Sequence, residues 1–277
     1  MRKMMQGLTF HMRERIRSSG FPRLNPLVAV FFMHCGYCSP LPAQSDAAVG
    51  IDSSGKTFRL AYVKYEGGSY YHARGEMLSH EEQLVPNMLD SIGKKVRLKV
   101  SPYPEVVTLG DKKLFECPIL FITGHYRFTV NPGDIDQLRE YIKRGGFAYI
   151  EDCGGFDNGL KQFGSFFEQM HEVLQKAFPE GQFRVLPRDH DIYRYPYEFP
   201  NGLPNFFGRE NDGSPPDTPG KLRKHNGGEG FYVGNTMVAF LGDADTCCGW
   251  TGRSQSGDGP FKMAANVVIY AMTHAGL

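Results

Sequence analysis

Glu151-Asp152-Cys153-Gly154-Gly155 sets two carboxylates and a thiol beside paired glycines, directly after an apolar run of strand type. His125 closes Thr123-Gly124-His125 after a second such run, and Glu66 opens Glu66-Gly67-Gly68 with Tyr70 close behind after a third. Asp243, Asp245, Cys247 and Cys248 follow a hairpin-like stretch. Thiol, imidazole and carboxylate are the nucleophile, base and orienting acid of covalent hydrolysis, so Asp152, His125 and Cys153 form the candidate catalytic set. Asp243, Asp245, Glu66 and Tyr70 are candidate ligand-binding residues, with the Tyr70 ring suited to the wall of a sugar or peptide cleft. Each also has a plainer role. A carboxylate at a strand end caps a neighbouring backbone N–H, His125 and His190 can satisfy nearby carbonyls, and Cys153 can pair with Cys247 or Cys248 in a disulfide. Asp243 and Asp245 could bind a cation with Asp152, but two acids with no second His make a weak metal signature, and neither metal nor cofactor is expected.

These residues share a position, the end of a strand, and the chain around them shows how that arises. Arg59 to Tyr65 alternates with period two, Leu60 and Tyr62 on one face against Ala61, Val63 and Tyr65 on the other. Val85, Met88, Leu89 and Ile92 make one helical stripe, with Pro86 tolerated only in the first turn. Val96 to Val100 reads as a strand, and Ile119 to Thr123 as a strand buried on both faces. Asn131 as N-cap, Pro132 at the first helical position and Asp134 in the first turn announce a helix, with Ile135, Leu138 and Ile142 inward. Gly145-Gly146 stops it before a strand from Phe147 to Glu151. A helix burying Phe163, Phe166, Phe167, Met170 and Leu174 follows, then a strand from Phe183 to Leu186. A hairpin turning at Gly234-Asn235 and a C-terminal helix with Ala264, Val267, Val268 and Ala271 inward complete the series.

Strand and helix alternating at this spacing predict right-handed crossovers and a mostly parallel, doubly wound α/β sheet in one domain over 58–277. Ligands of such sheets bind outside the carboxyl ends of the strands, where the candidate residues fall. Asn201 to Gly228, rich in Gly and Pro, is expected to be a long loop.

The chain has 277 residues and a formal charge of +1, but the first 43 hold six basic residues and one acid. The remainder is mildly acidic, which argues against nucleic-acid binding. With 41% hydrophobic residues it can bury a full core. The apolar run Leu27 to Met33 behind the basic stretch reads as a signal peptide over 1–43, with 44–57 as a short linker and translation starting at Met1 or Met12. Export predicts a periplasmic or secreted protein that meets the membrane only in transit, with a small ligand or an envelope protein as partner. Cys117, Cys153, Cys247 and Cys248 would then meet an oxidising compartment.

Five ordered motifs carry a family resemblance: Ala61-Tyr-Val-Lys-Tyr-Glu-Gly-Gly, Leu-Phe-Ile-Thr-Gly-His ending at His125, Gly145-Gly-Phe-Ala-Tyr-Ile-Glu-Asp, Leu186-Pro-Arg-Asp-His-Asp-Ile-Tyr, and Cys-Gly-Trp at Trp250 followed by Asn266-Val-Val-Ile-Tyr-Ala-Met-Thr. From about Phe58 to His274 the chain resembles the bacterial domain-of-unknown-function family 4159. The resemblance implies a flavodoxin-like sheet of the class I glutamine amidotransferase type, in a family without an established activity. Enzymes of that fold place Cys in a Gly-x-Cys-x-Gly elbow. Here Glu151 stands at the first glycine position, and no His-x-Glu pair follows near Asp243 and Asp245. The expectation is a ligand-binding or envelope-assembly module without glutaminase activity. The alternative is a hydrolase using Asp152, His125 and Cys153.

Overall fold

The computed structural model describes residues 57–67, 84–96, 98–152, 165–204, 228–242, 244, 246–251 and 257–274. Seven strands form one sheet in the order β2-β1-β3-β4-β7-β6-β5. They are β1 (Leu60–Val63), β2 (Glu105–Val107), β3 (Ile119–Gly124), β4 (Phe147–Asp152), β5 (Gln182–Val185), β6 (Gly228–Val233) and β7 (Thr236–Gly242). β2, β1, β3, β4 and β7 pair in parallel, and only β6 runs against its neighbours. The expected mixed α/β, mostly parallel architecture is what the chain adopts.

Helices cover both faces. α1 (Leu84–Val96) and α4 (Gly259–His274) share a core with Leu60, Tyr62, Phe121, Tyr149 and Phe240. α2 (Pro132–Lys143) and α3 (Ser165–Ala177) share the opposite core with Ala61, Val63, Ile122, Ile150 and Leu241. Strands sandwiched in this way read as continuous apolar runs, which is why β3 is buried at all six positions. Trp250, fully buried, anchors the α1/α4 face against the rings of Phe121 and Tyr149, with centroids 5.2 and 6.1 Å away. Its indole N–H donates to the Pro260 carbonyl at 3.1 Å.

Local signals explain most boundaries. The Asn131 amide donates to the Asp134 carboxylate at 2.8 Å, closing the start of α2. Gly145 ends α2 at φ +90°, and Gly146 lies so close to the Tyr141 ring that a Cβ would sit 2.3 Å from Cζ. Among the described residues no helix is long and apolar enough to cross a membrane.

One expected strand is corrected. Val96 ends α1, and Leu98 and Lys99 are irregular; Val100 makes a single parallel bridge to Phe58. The edge strand is β2, which follows Pro102 and Pro104. Proline has no N–H for a ladder, so the edge breaks after Val100 and resumes at Glu105. The leader, Phe163 and most of the loop after Pro204 lie outside the described residues.

Candidate functional site

The strand order turns back beside β1: the chain passes from β1 outward to β2, then crosses to β3 on the other side. Such a switch point leaves a crevice at the carboxyl ends, because the connections leave it in opposite directions. A cleft of about 510 Å³ opens on the β1/β2 side of this point. Among the described residues its polar lining is Lys64 and Glu66 after β1, Thr108 after β2, Thr129 and Asn131 between β3 and α2, and Asp134 in the first turn of α2. Tyr65, Leu109 and Phe128, all buried, supply its apolar lining.

The loop after β3 is tied down at several points. Thr129 N–H donates to the Glu66 carbonyl at 2.8 Å, and Phe128 bridges Gly67 in antiparallel fashion. Gly67 adopts φ +77°, the left-handed region that suits glycine. From α3, buried Gln169 grips Phe128 twice, accepting its N–H and donating to its C=O, both at 2.7 Å. The Tyr65 and Phe128 rings lie 4.1 Å apart, and Tyr65 Oη donates to the Thr123 carbonyl at 2.7 Å. Gly124 permits that approach, since a Cβ there would fall 2.3 Å from Tyr65 Oη.

The other sequence candidates divide between the two faces of the same sheet edge. Register pairs Thr123 with Glu151 and Gly242 on the α1/α4 face, and Gly124 with Asp152 on the α2/α3 face. Asp152 is fully buried, and its carboxylate accepts the Phe167 amide of α3 at 3.3 Å. On the opposite face Glu151, equally buried, accepts from Tyr149 Oη at 3.1 Å. Burial, with the Glu151 charge adding to it, raises the Tyr149 pKa well above its usual value and keeps it a donor. Thr123 Oγ1 lies 3.5 Å from Cys247 Sγ. His125 is partly buried, which lowers its pKa, while the nearby Cys248 opposes the shift. Cys117 and Cys247 are buried and Cys248 is half-buried, and burial pushes the Cys117 thiol up to about 11.

Of the residues read from sequence, Glu66 lines the cleft, Asp152 meets α3, and His125 lies near Cys248. Cys153, Tyr70, Asp243 and Asp245 lie outside the described residues. His190 caps a short 3-10 turn, its Nδ1 accepting the Ile192 amide at 3.2 Å. Among the described residues no group of three or more His, Cys, Asp or Glu is placed to hold a metal ion.

Sequence reasoning missed Lys64, Asp134 and Gln169 as site residues. The signal for Gln169 was present: a polar residue three after Phe166, inside an apolar helix stripe. A second missed feature joins α3 to β6. His171 packs between Phe167 and Phe183, with ring centroids 4.6 and 4.2 Å away. Its Nδ1 lies 2.8 Å from the Phe167 carbonyl and its Nε2 2.5 Å from the Glu229 carboxylate.

A three-layer α/β protein with a polar cleft at the carboxyl edge of its parallel strands is the class these features define. Within that class the chain belongs to the family described as a domain of unknown function (DUF4159), whose model matches residues 59–272. No curated protein matches it.

Proposed function

We propose that this protein is a ligand-binding module of the bacterial envelope, exported by its leader, with a flavodoxin-like sheet related to class I glutamine amidotransferases but no glutaminase activity. The parallel run β2-β1-β3-β4-β7 supports the fold assignment, being the 2-1-3-4-5 order of flavodoxin-like sheets extended by a hairpin and an edge strand. The observation that carries the function is the contrast along one sheet edge. Asp152 and Glu151 are fully buried and engaged, whereas the roomy, solvent-facing groups are those of the switch-point cleft. A volume of about 510 Å³ lies within the range of small-molecule sites. Stabilising hydrogen bonds at depth and open polar groups at a cleft suit holding a ligand better than transforming one.

The test is a ligand screen on the full chain by thermal shift, mapped by amide chemical-shift changes. Perturbations centred on 64–66, 108–109 and 128–134 are expected, with the response reduced in Glu66→Gln. Binding mapped to another surface overturns the assignment, and ammonia release from glutamine overturns the exclusion of glutaminase activity. Mass spectrometry of secreted protein should find an N-terminus between Gln44 and Gly50.

The hydrolase reading draws on one feature: burial favours the neutral form of His125, which can accept a proton. Hydrolysis of ester or amide probes that disappears in both His125→Gln and Cys153→Ser would replace the binding reading.

A further inference from the structure

The cleft carries charges of both signs on adjoining connections. Lys64 and Glu66, two residues apart just after β1, both line the cleft. Both are exposed, and neither forms an ion pair or side-chain hydrogen bond among the described residues. Asp134 brings a second carboxylate from the start of α2. One of its oxygens already accepts the Asn131 amide, which fixes the side chain and occupies one of the amides a helix start would offer to an anion.

This set is selective. A ligand that is only anionic meets two carboxylates, and one that is only cationic meets Lys64. A neutral ligand that fills the cleft strips water from three charges and gives no counter-charge in return. A ligand carrying both signs satisfies all of them through charge-assisted hydrogen bonds. The apolar lining of Tyr65, Leu109 and Phe128 then leaves room for a short hydrocarbon part between the two ends.

Resting on the reading of this cleft as the ligand site, we propose that its ligand class is zwitterionic, an amino acid or short peptide, with the carboxylate set against Lys64 and the ammonium against Glu66 and Asp134. The groups that would hold it act through charge and hydrogen bonds alone, and no bond is made or broken.

The experiment is calorimetric titration of the full chain with alanyl-alanine, its N-acetyl form, its C-terminal amide, and glucose as a neutral polar probe. Alanyl-alanine should bind saturably, and blocking either end should weaken it by about tenfold, as expected for loss of one partly solvated charged contact. Lys64→Met should weaken alanyl-alanine by a similar factor while leaving the C-terminal amide unchanged. Glu66→Gln should do the same for the ammonium end, leaving the N-acetyl form unchanged. Because both side chains are exposed, the variants should melt with the parent protein. Equal binding of free and blocked peptides overturns the zwitterion assignment. Glucose binding at the cleft that ignores Lys64→Met overturns it too, yet leaves the cleft as a ligand site. Absence of binding by all four probes, together with a screen that maps elsewhere, overturns both.

Discussion

The contact between α3 and β6 yields the sharpest stability prediction, because its two partners are buried unequally. The Glu229 side chain is 0% exposed and the His171 side chain 18%. Both ring nitrogens of His171 are engaged, Nδ1 with the Phe167 carbonyl and Nε2 with the Glu229 carboxyl group. His171→Phe keeps an aromatic ring between Phe167 and Phe183 but removes the imidazole partner of a fully buried carboxyl group. Losing one partner of such a buried pair costs about 3–5 kcal/mol. Glu229→Leu strands only an imidazole that still reaches the Phe167 carbonyl and is partly open to water, and the cost there is about 1–2 kcal/mol. For a domain of this size each kcal/mol moves the melting temperature by about 2–4 °C, so His171→Phe should lower it by about 6–20 °C. Against a total stability of about 5–15 kcal/mol that variant could fail to fold, which makes the double variant decisive. His171→Phe with Glu229→Leu replaces both groups by apolar ones and should recover most of the loss, with a coupling of about 2 kcal/mol or more in urea unfolding. Additive losses, or a larger loss from Glu229→Leu than from His171→Phe, would refute this account of the pair.

Other outcomes follow from single contacts. Asn266, fully buried in α4, donates to the Ile192 and Tyr197 carbonyls at 2.8 and 2.7 Å and accepts the Tyr197 amide at 3.0 Å, so Asn266→Leu should cost about 3 kcal/mol in denaturant unfolding. Gln169→Leu should destabilise by about 2 kcal/mol and blunt the ligand response, since Phe128 loses both of its side-chain partners; an unchanged response would detach the loop from the site. Gly124→Ala should cost about 1–3 kcal/mol, because the new methyl displaces Tyr65 Oη and the Phe166 ring. His125 and His190 are both held below their ordinary value of 6.5 by burial, so the unfolded chain binds more protons and stability should fall as pH drops below about 6.5; His190→Gln should flatten that slope.

Sequence patterns located elements where the physics is local. The start of α2 needed only Asn131, Pro132 and Asp134, within one turn of one another, and its stop needed Gly145 and Gly146. β3 and β4 were legible because burial on both faces demands an uninterrupted apolar run. β2 was not, because three residues at a sheet edge, with Val106 45% exposed, carry no alternation that a window can detect. The site was harder still. Its decisive bonds, Tyr65 to Thr123 and Phe128 to Gln169, join residues far apart in the chain, as does the separate contact of His171 with Glu229. Nothing in the local pattern of either partner specifies the other; only the strand order does.

That order also explains why the most suggestive motif became structural while a plainer stretch formed the cleft. Glu151 and Asp152 end a central strand, with β3 on one side and β7 on the other, and helices cover both faces there. A carboxylate in such a place must be hydrogen-bonded within the protein, and each one is: Glu151 by Tyr149 and Asp152 by the Phe167 amide. Lys64 and Glu66 follow β1, which is flanked by the short edge strand β2, and the chain reverses direction beside them. Fewer atoms crowd that end, so polar side chains there keep their hydration until a ligand replaces it. Asp152→Asn therefore serves as the control for the cleft: it should cost about 1 kcal/mol through the weakened contact to α3 and leave the affinity at Lys64 and Glu66 unchanged. A loss of affinity at unchanged stability would instead move the ligand to the carboxylates of β4.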